Sequence, residues 1–156
     1  MREILFRGKR YMDDAWVDGS LFIDEKKEKH EILVGYVNYR VGWEVKPETV
    51  GQFTGLTDKN GKKIFEGDIL RAKVYETAIE DSEVWGKNKI RTGNKIDAVW
   101  TVEHKIFSAS CGYFVYGKDR RFNRLLTSSV IFNNECEVIG NIHDNPELLE
   151  GGAEDG

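Results

Sequence analysis

The chain has 156 residues and a formal charge of −4. That length sets one domain or two small, closely packed ones, and that charge opposes general affinity for nucleic acid, because phosphate contacts need a surplus of Lys and Arg on some face. No stretch approaches the roughly 18 apolar residues of a membrane span and the opening MREILFRGKR has no signal-peptide core, so a soluble, cytoplasmic protein with no membrane partner is expected.

The 40% hydrophobic content can fill a core of ordinary size, and eight Phe, six Tyr and four Trp with 16 Gly and only two Pro suit β-structure rich in turns. In chain order, Glu3 to Arg7 reads as a short strand and Trp16 to Ile23 as a second. The charged run DEKKEKHE, Asp24 to Glu31, reads as a solvated hairpin loop containing His30. Ile32 to Tyr39 is strand-like, and Trp43 and Val45 continue the extended character. Pro47-Glu48-Thr49-Val50 is compatible with one helical turn, Pro being tolerated at the first position, or with a turn joining two subdomains. A soft boundary is placed near Lys46.

Gln52 to Thr54 is β-prone, Asn60-Gly61 supplies a tight turn, and Gly67 is free to take a conformation closed to other residues. Ile69 to Tyr75 then alternates, with Leu70, Ala72 and Val74 on one face and Arg71, Lys73 and Tyr75 on the other. Period two predicts a half-buried strand. Thr77 to Ile96 is polar with no clear period and reads as a long excursion between strands, with a short hairpin near Gly86 or Gly93 as an option. An excursion this long is usually functional or interacting, and Trp85 within it offers a large apolar body of the kind that marks contact surfaces. Asp97 to Phe107 alternates again, Tyr113 to Tyr116 is extended, Phe122 to Ser129 is ambiguous, and Val130 to Phe132 is apolar and β-branched. Cys136 to Ile142 reads as the closing strand. Asn145 as N-cap, Pro146 and Glu147 predict a short C-terminal helix, followed by a disordered tail at 151–156.

Chemistry is sparse. His30, His104 and His143 pair with no other ligand at metal spacing, and neither a nucleophile elbow nor a phosphate-binding glycine loop occurs. Cys111 and Cys136 read as two small buried thiols. Glu66 and Asp68 flank a turn and, with His104, form the only hydrolase trio worth weighing. Arg71 and Lys73 on one strand face, with Lys87, Lys89 and Trp85 in the excursion, could hold a single nucleic-acid strand by charge and stacking. No catalytic residue, metal or cofactor is expected.

The stretch GQFTGLTDKNGKKIFEGDIL, the ending ECEVIGNIHDNPELL and the opening MREILFRGKR together resemble the YopX family of phage and prophage proteins. The resemblance implies a mostly β protein encoded by phages of Gram-positive hosts, with self-association as an expectation and no established activity. The combined expectation is a mainly β fold with a short C-terminal helix. It has two packed β subdomains, 1–46 and 47–150, the second like an SH3 barrel. The protein works by binding itself or a host or phage protein, with single-stranded nucleic-acid binding as the alternative.

Overall fold

In a computed structural model, residues 3–36, 39–82, 86–107, 110–118 and 123–150 are described. Two antiparallel sheets account for most of them. The first contains β1 (Phe6–Lys9), β2 (Trp16–Asp24), β3 (Lys29–Tyr36), β4 (Tyr39–Val45), β5 (Gly51–Thr57) and β6 (Lys63–Phe65), in the order β4-β3-β2-β1-β5-β6. The second contains β7 (Asp68–Ser82), β8 (Gly86–Phe107), β9 (Ser110–Gly117), β10 (Asn123–Leu125) and β11 (Glu137–Asn141), in the order β10-β9-β8-β7-β11. A 3-10 turn at Pro47–Thr49 follows β4, and two short helices, α1 (Ser128–Asn133) and α2 (Glu147–Glu150), complete the chain.

The mainly β architecture and the C-terminal helix are as expected. The five-stranded sheet is open, with β10 and β11 as its edges. The first sheet curls until β4 meets β1 at one corner, where the Lys46 amide donates to the Lys9 carbonyl at 2.8 Å and the Tyr11 amide to the Glu44 carbonyl at 3.1 Å. The hydrogen-bonded division between sheets falls between Phe65 and Asp68, because β5 pairs with β1. The strands around the first tight turn thus belong with the N-terminal ones.

Three expectations are corrected. The stretch 77–96 is not a loop: its described residues, 77–82 and 86–96, are strand and pair as continuations of β7 and β8 with one register shift. Its described side chains are exposed or half-buried, and a strand so wetted needs no apolar alternation, so its period was invisible. Val130 to Phe132 is helical, because Thr127 caps α1 by accepting the Val130 amide at 3.2 Å and only Ile131 is buried; one buried residue per turn satisfies a helix as well as β-branching suits a strand. His30 lies within β3 and not in the preceding loop.

The core is built where the alternating strands meet α1. Leu70, Ala72, Trp100, Val102 and Val115 from the second sheet pack with Ile131, Cys136 and Ile64, the last contributed by the first sheet. Burying such side chains stabilises by roughly 1.5–3 kcal/mol each.

Polar contacts lock the sheets together. Arg7 on β1 donates to Asp68 at 2.6 Å; the guanidinium lies 4.7 Å from the ring centres of both Trp16 and Phe65, and the Asp68 side chain is almost fully buried. Asp68 also accepts the Phe65 amide at 2.8 Å, closing the turn that Gly67 makes at φ +86°. Burial pushes the Asp68 carboxyl above its ordinary range while Arg7 opposes the shift. The Gly67 amide donates to the Val102 carbonyl, and its own carbonyl accepts the Ile142 amide, both at 2.9 Å. Asp144 takes hydrogen bonds from Lys9 and from the Trp16 indole, each at 2.6 Å, and the lysine above all holds its carboxyl down to about 2. Asp58 accepts the amides of Asn60 and Lys62 with one oxygen and that of Val138 with the other, at 2.8, 2.9 and 3.0 Å.

Arg7→Ala leaves Asp68 buried without its partner and should cost about 3–5 kcal/mol in urea unfolding; a loss below about 1 kcal/mol would show that the pair does not hold the sheets. Because the carboxyl of Asp144 is depressed in the folded state, its stabilisation is present above the unfolded pKa near 4 and is lost as pH falls toward 2. Asp144→Asn should therefore melt about 2–4 °C below the parent at pH 7, and the two curves should converge between pH 4 and 2.

Candidate functional site

The residues singled out from sequence lie along β7 and β8, whose pairing runs from Ile69↔Thr101 to Ser82↔Gly86. Only its base is supported. On the outer side of β7, β11 pairs as far as Arg71, and Asn134 then holds Lys73 through its carbonyl and side-chain amide at 2.7 and 2.8 Å. On the outer side of β8, β9 reaches only to Trp100. Among the described residues no strand flanks the pair beyond Val74 and Val99, so the rest is a two-stranded ribbon. An isolated two-stranded ribbon is marginal in water and gains from a third strand or a packing surface. Tyr75, Ile90 and Ile96 are exposed along it.

An irregularity divides the ribbon. Between Tyr75↔Lys95 and Thr77↔Arg91 the register shifts, so that residues 92–94 oppose Glu76. The Glu76 carboxylate accepts the Thr92 hydroxyl at 3.1 Å and the Asn94 amide at 3.5 Å, and Gly93 sits at φ +85°. Extra residues on one limb bend and twist a strand pair, so this elbow aims the distal half. It was not visible in the sequence beyond Gly93 itself.

The predicted binding cations do not act as one group. Arg71 donates to Glu137 and Lys73 bonds Asp97, both at 2.6 Å, so the charge of each is met within the chain. Lys87 is exposed on the distal ribbon; Lys89 lies opposite Ile79 in the same ladder. Trp85 falls outside the described residues, as does the tail at 151–156. The acids that engage Arg71 and Lys73 come from strands β11 and β8, which local sequence could not place beside them.

At the ribbon base lies an open groove of about 1020 Å³, lined by Tyr75, Arg91, Lys95, Lys118, Phe132 and Leu149 among others. Its cations are also engaged: Arg91 and Lys95 sit 5.4 and 5.6 Å from the Tyr75 ring centre, Lys95 lies 3.6 Å from Glu135, and Lys118 donates to the Glu150 carbonyl at 3.0 Å. Phe132, 82% exposed, stands between this groove and a smaller one of about 560 Å³ beside Leu56 and Ile131.

The hydrolase trio is not assembled. Asp68 is spent on Arg7 and the Phe65 amide, whereas His104 is exposed and meets Tyr113 edge to face at 5.2 Å. Among the described residues no three His, Cys, Asp or Glu side chains gather to hold a metal ion. Both cysteines are free thiols. Cys136 is buried, which pushes its thiol up to about 11, while Cys111 is exposed, contrary to expectation. No helix among the described residues is long and apolar enough to cross a membrane.

The family model described as YopX protein matches residues 5–150. The crystal structure of protein EF1440 from Enterococcus faecalis is similar in fold, with a TM-score of 0.50 at 20% identity over 96% of this chain and 99% of that one. No curated protein matches the chain significantly.

Gly93→Val forces a branched side chain into the left-handed region and should loosen the elbow. Amide exchange in residues 77–91 should accelerate at least tenfold while the global melting temperature stays within about 2 °C, because the ribbon lies outside the core. Unchanged exchange would show that the elbow does not set the ribbon's order.

Proposed function

The chain belongs to the YopX family, and on that footing we propose that it is a phage or prophage accessory protein that works by binding protein, with the β7–β8 ribbon as its contact element. The observation that carries this reading is the ribbon itself: strand pairing continues from Val74 to Ser82 and from Gly86 to Val99 with no flanking strand among the described residues. Backbone donors and acceptors on both outer edges, together with exposed Tyr75, Ile90 and Ile96, offer what strand addition uses: main-chain bonds for affinity and side-chain contacts for specificity. The ridge at Phe132 lies at its base and extends the surface. Nothing among the described residues indicates catalysis. Binding of a single nucleic-acid strand is disfavoured, because two of its five expected residues, Arg71 and Lys73, already pair with acids.

The test is a variant in which residues 77–91 are replaced by Asn-Gly, closing a short hairpin at the base. It should keep the parent melting temperature within a few degrees and lose association with itself or with a host protein, read by light scattering and by pulldown. A parent protein that is strictly monomeric and captures no partner, or a short-ribbon variant that associates as well as the parent, would overturn the reading. Gel shifts with a single-stranded oligonucleotide should show no salt-sensitive complex.

A further inference from the structure

The two limbs of the ribbon are opposite in charge. From Tyr75 to Ser82, β7 carries Glu76, Glu80 and Asp81 and no Lys or Arg. From Gly86 to Ile96, β8 carries Lys87, Lys89, Arg91 and Lys95 and no Asp or Glu. Neither limb's outer edge pairs with a further strand among the described residues, so the ribbon presents one acidic strand edge and one basic strand edge. The acidic stretch is about 25 Å long at the rise of a β-strand, ample for a ladder of several hydrogen bonds.

Charged residues on sheet edges ordinarily prevent edge-to-edge association. Had both edges carried the same sign, every pairing between copies would be opposed. With opposite signs only two of the three pairings are opposed. A two-fold axis placing β7 against β7 of a second copy sets acid on acid, and one placing β8 against β8 sets base on base; like charges directly opposite destabilise a strand pair. Pairing β7 of one copy with β8 of the next sets acid against base, and it is antiparallel, as is β7 with β8 inside each ribbon.

We infer that the occupant of the ribbon edge is a second copy of this chain, added head to tail, β7 to β8, so that ribbons continue one another as a single sheet. This rests on the binding reading above and names its partner. A head-to-tail contact leaves a free acidic edge on one end and a free basic edge on the other. It therefore does not stop at two copies: it closes into a ring where the rotation between copies permits, and otherwise extends. The right-handed twist of a growing antiparallel sheet supplies that rotation. Glu76 is bound to Thr92 and Asn94 at the elbow, so the contact is assigned to the other two acids of this limb in the sequence, Glu80 and Asp81.

Three variants test the inference: Glu80→Lys with Asp81→Lys, Lys87→Glu with Lys89→Glu, and all four changes in one chain. Either half-inverted variant should associate with itself at least tenfold more weakly, since two pairs are reversed, and an equimolar mixture of the two should recover parent-like assemblies larger than dimers. The fully inverted variant should assemble with itself like the parent. Light scattering on a differently tagged mixture reads each case, and circular dichroism establishes that every variant is folded. Assembly limited to dimers, or assembly indifferent to the half inversions, would overturn head-to-tail pairing. If association persists through the inversions but vanishes on shortening the ribbon, the binding reading survives without this partner.

Discussion

The molecule depends on one buried ion pair. Arg7 sits on a strand of the first sheet and Asp68 at the entrance to the longest strand pair of the second. A pair this deeply buried adds little net stability over an apolar contact of the same volume, because both charges leave water. What it supplies is uniqueness. Only one placement of the sheets gives the Asp68 carboxylate both its guanidinium and the Phe65 amide, and every other placement leaves a charge unmet in the interior. The rings of Trp16 and Phe65 on the guanidinium narrow that placement further. Asp144 repeats the device at the surface, joining the C-terminal turn to Lys9 and Trp16.

How much of this was legible in the sequence follows from what water does to a strand. Ile69 to Tyr75 has one dry face, so its alternation is plain and its register follows. Beyond Tyr75, as far as Ile96, the described side chains of these strands are exposed or half-buried, and their composition reads like a loop. Gly67 and Gly61 announced their turns because both require positive φ. Asp68 looked like a turn residue and is one, but its second role, receiving Arg7 from 61 positions away, has no local signature. The cations Arg71 and Lys73 were rightly read as facing outward; the acids that neutralise them lie across the sheet, where only pairing register reveals them. Thr127 as a cap and the single buried Ile131 could have signalled a helix, had β-branching at Val130 and Ile131 not pointed the other way.

The stretches that carry the family resemblance converge in space. Arg7 and Lys9 come from the opening segment, Asp58, Gly67 and Asp68 from the central one, and Asn141 and Asp144 from the ending. Their contacts with one another are structural: ion pairs, amide acceptors and a glycine turn. In this chain a junction of a few polar contacts specifies how the two sheets dock while leaving most surface positions free. The ribbon lies outside that junction.

Asp58 illustrates what such docking means in time. Its loop is complete only when the Val138 amide arrives, 80 positions later, and β11 then pairs with the first residues of β7. On the ribosome, where chains emerge from the N-terminal end, the first sheet can form while the second still lacks its outermost strand and the Lys59–Gly61 loop lacks its anchor. Synthesis must pass Val138 and β11 before either is secured, so that segment acts as a latch, and a transcript cut before it yields a chain with an open seam.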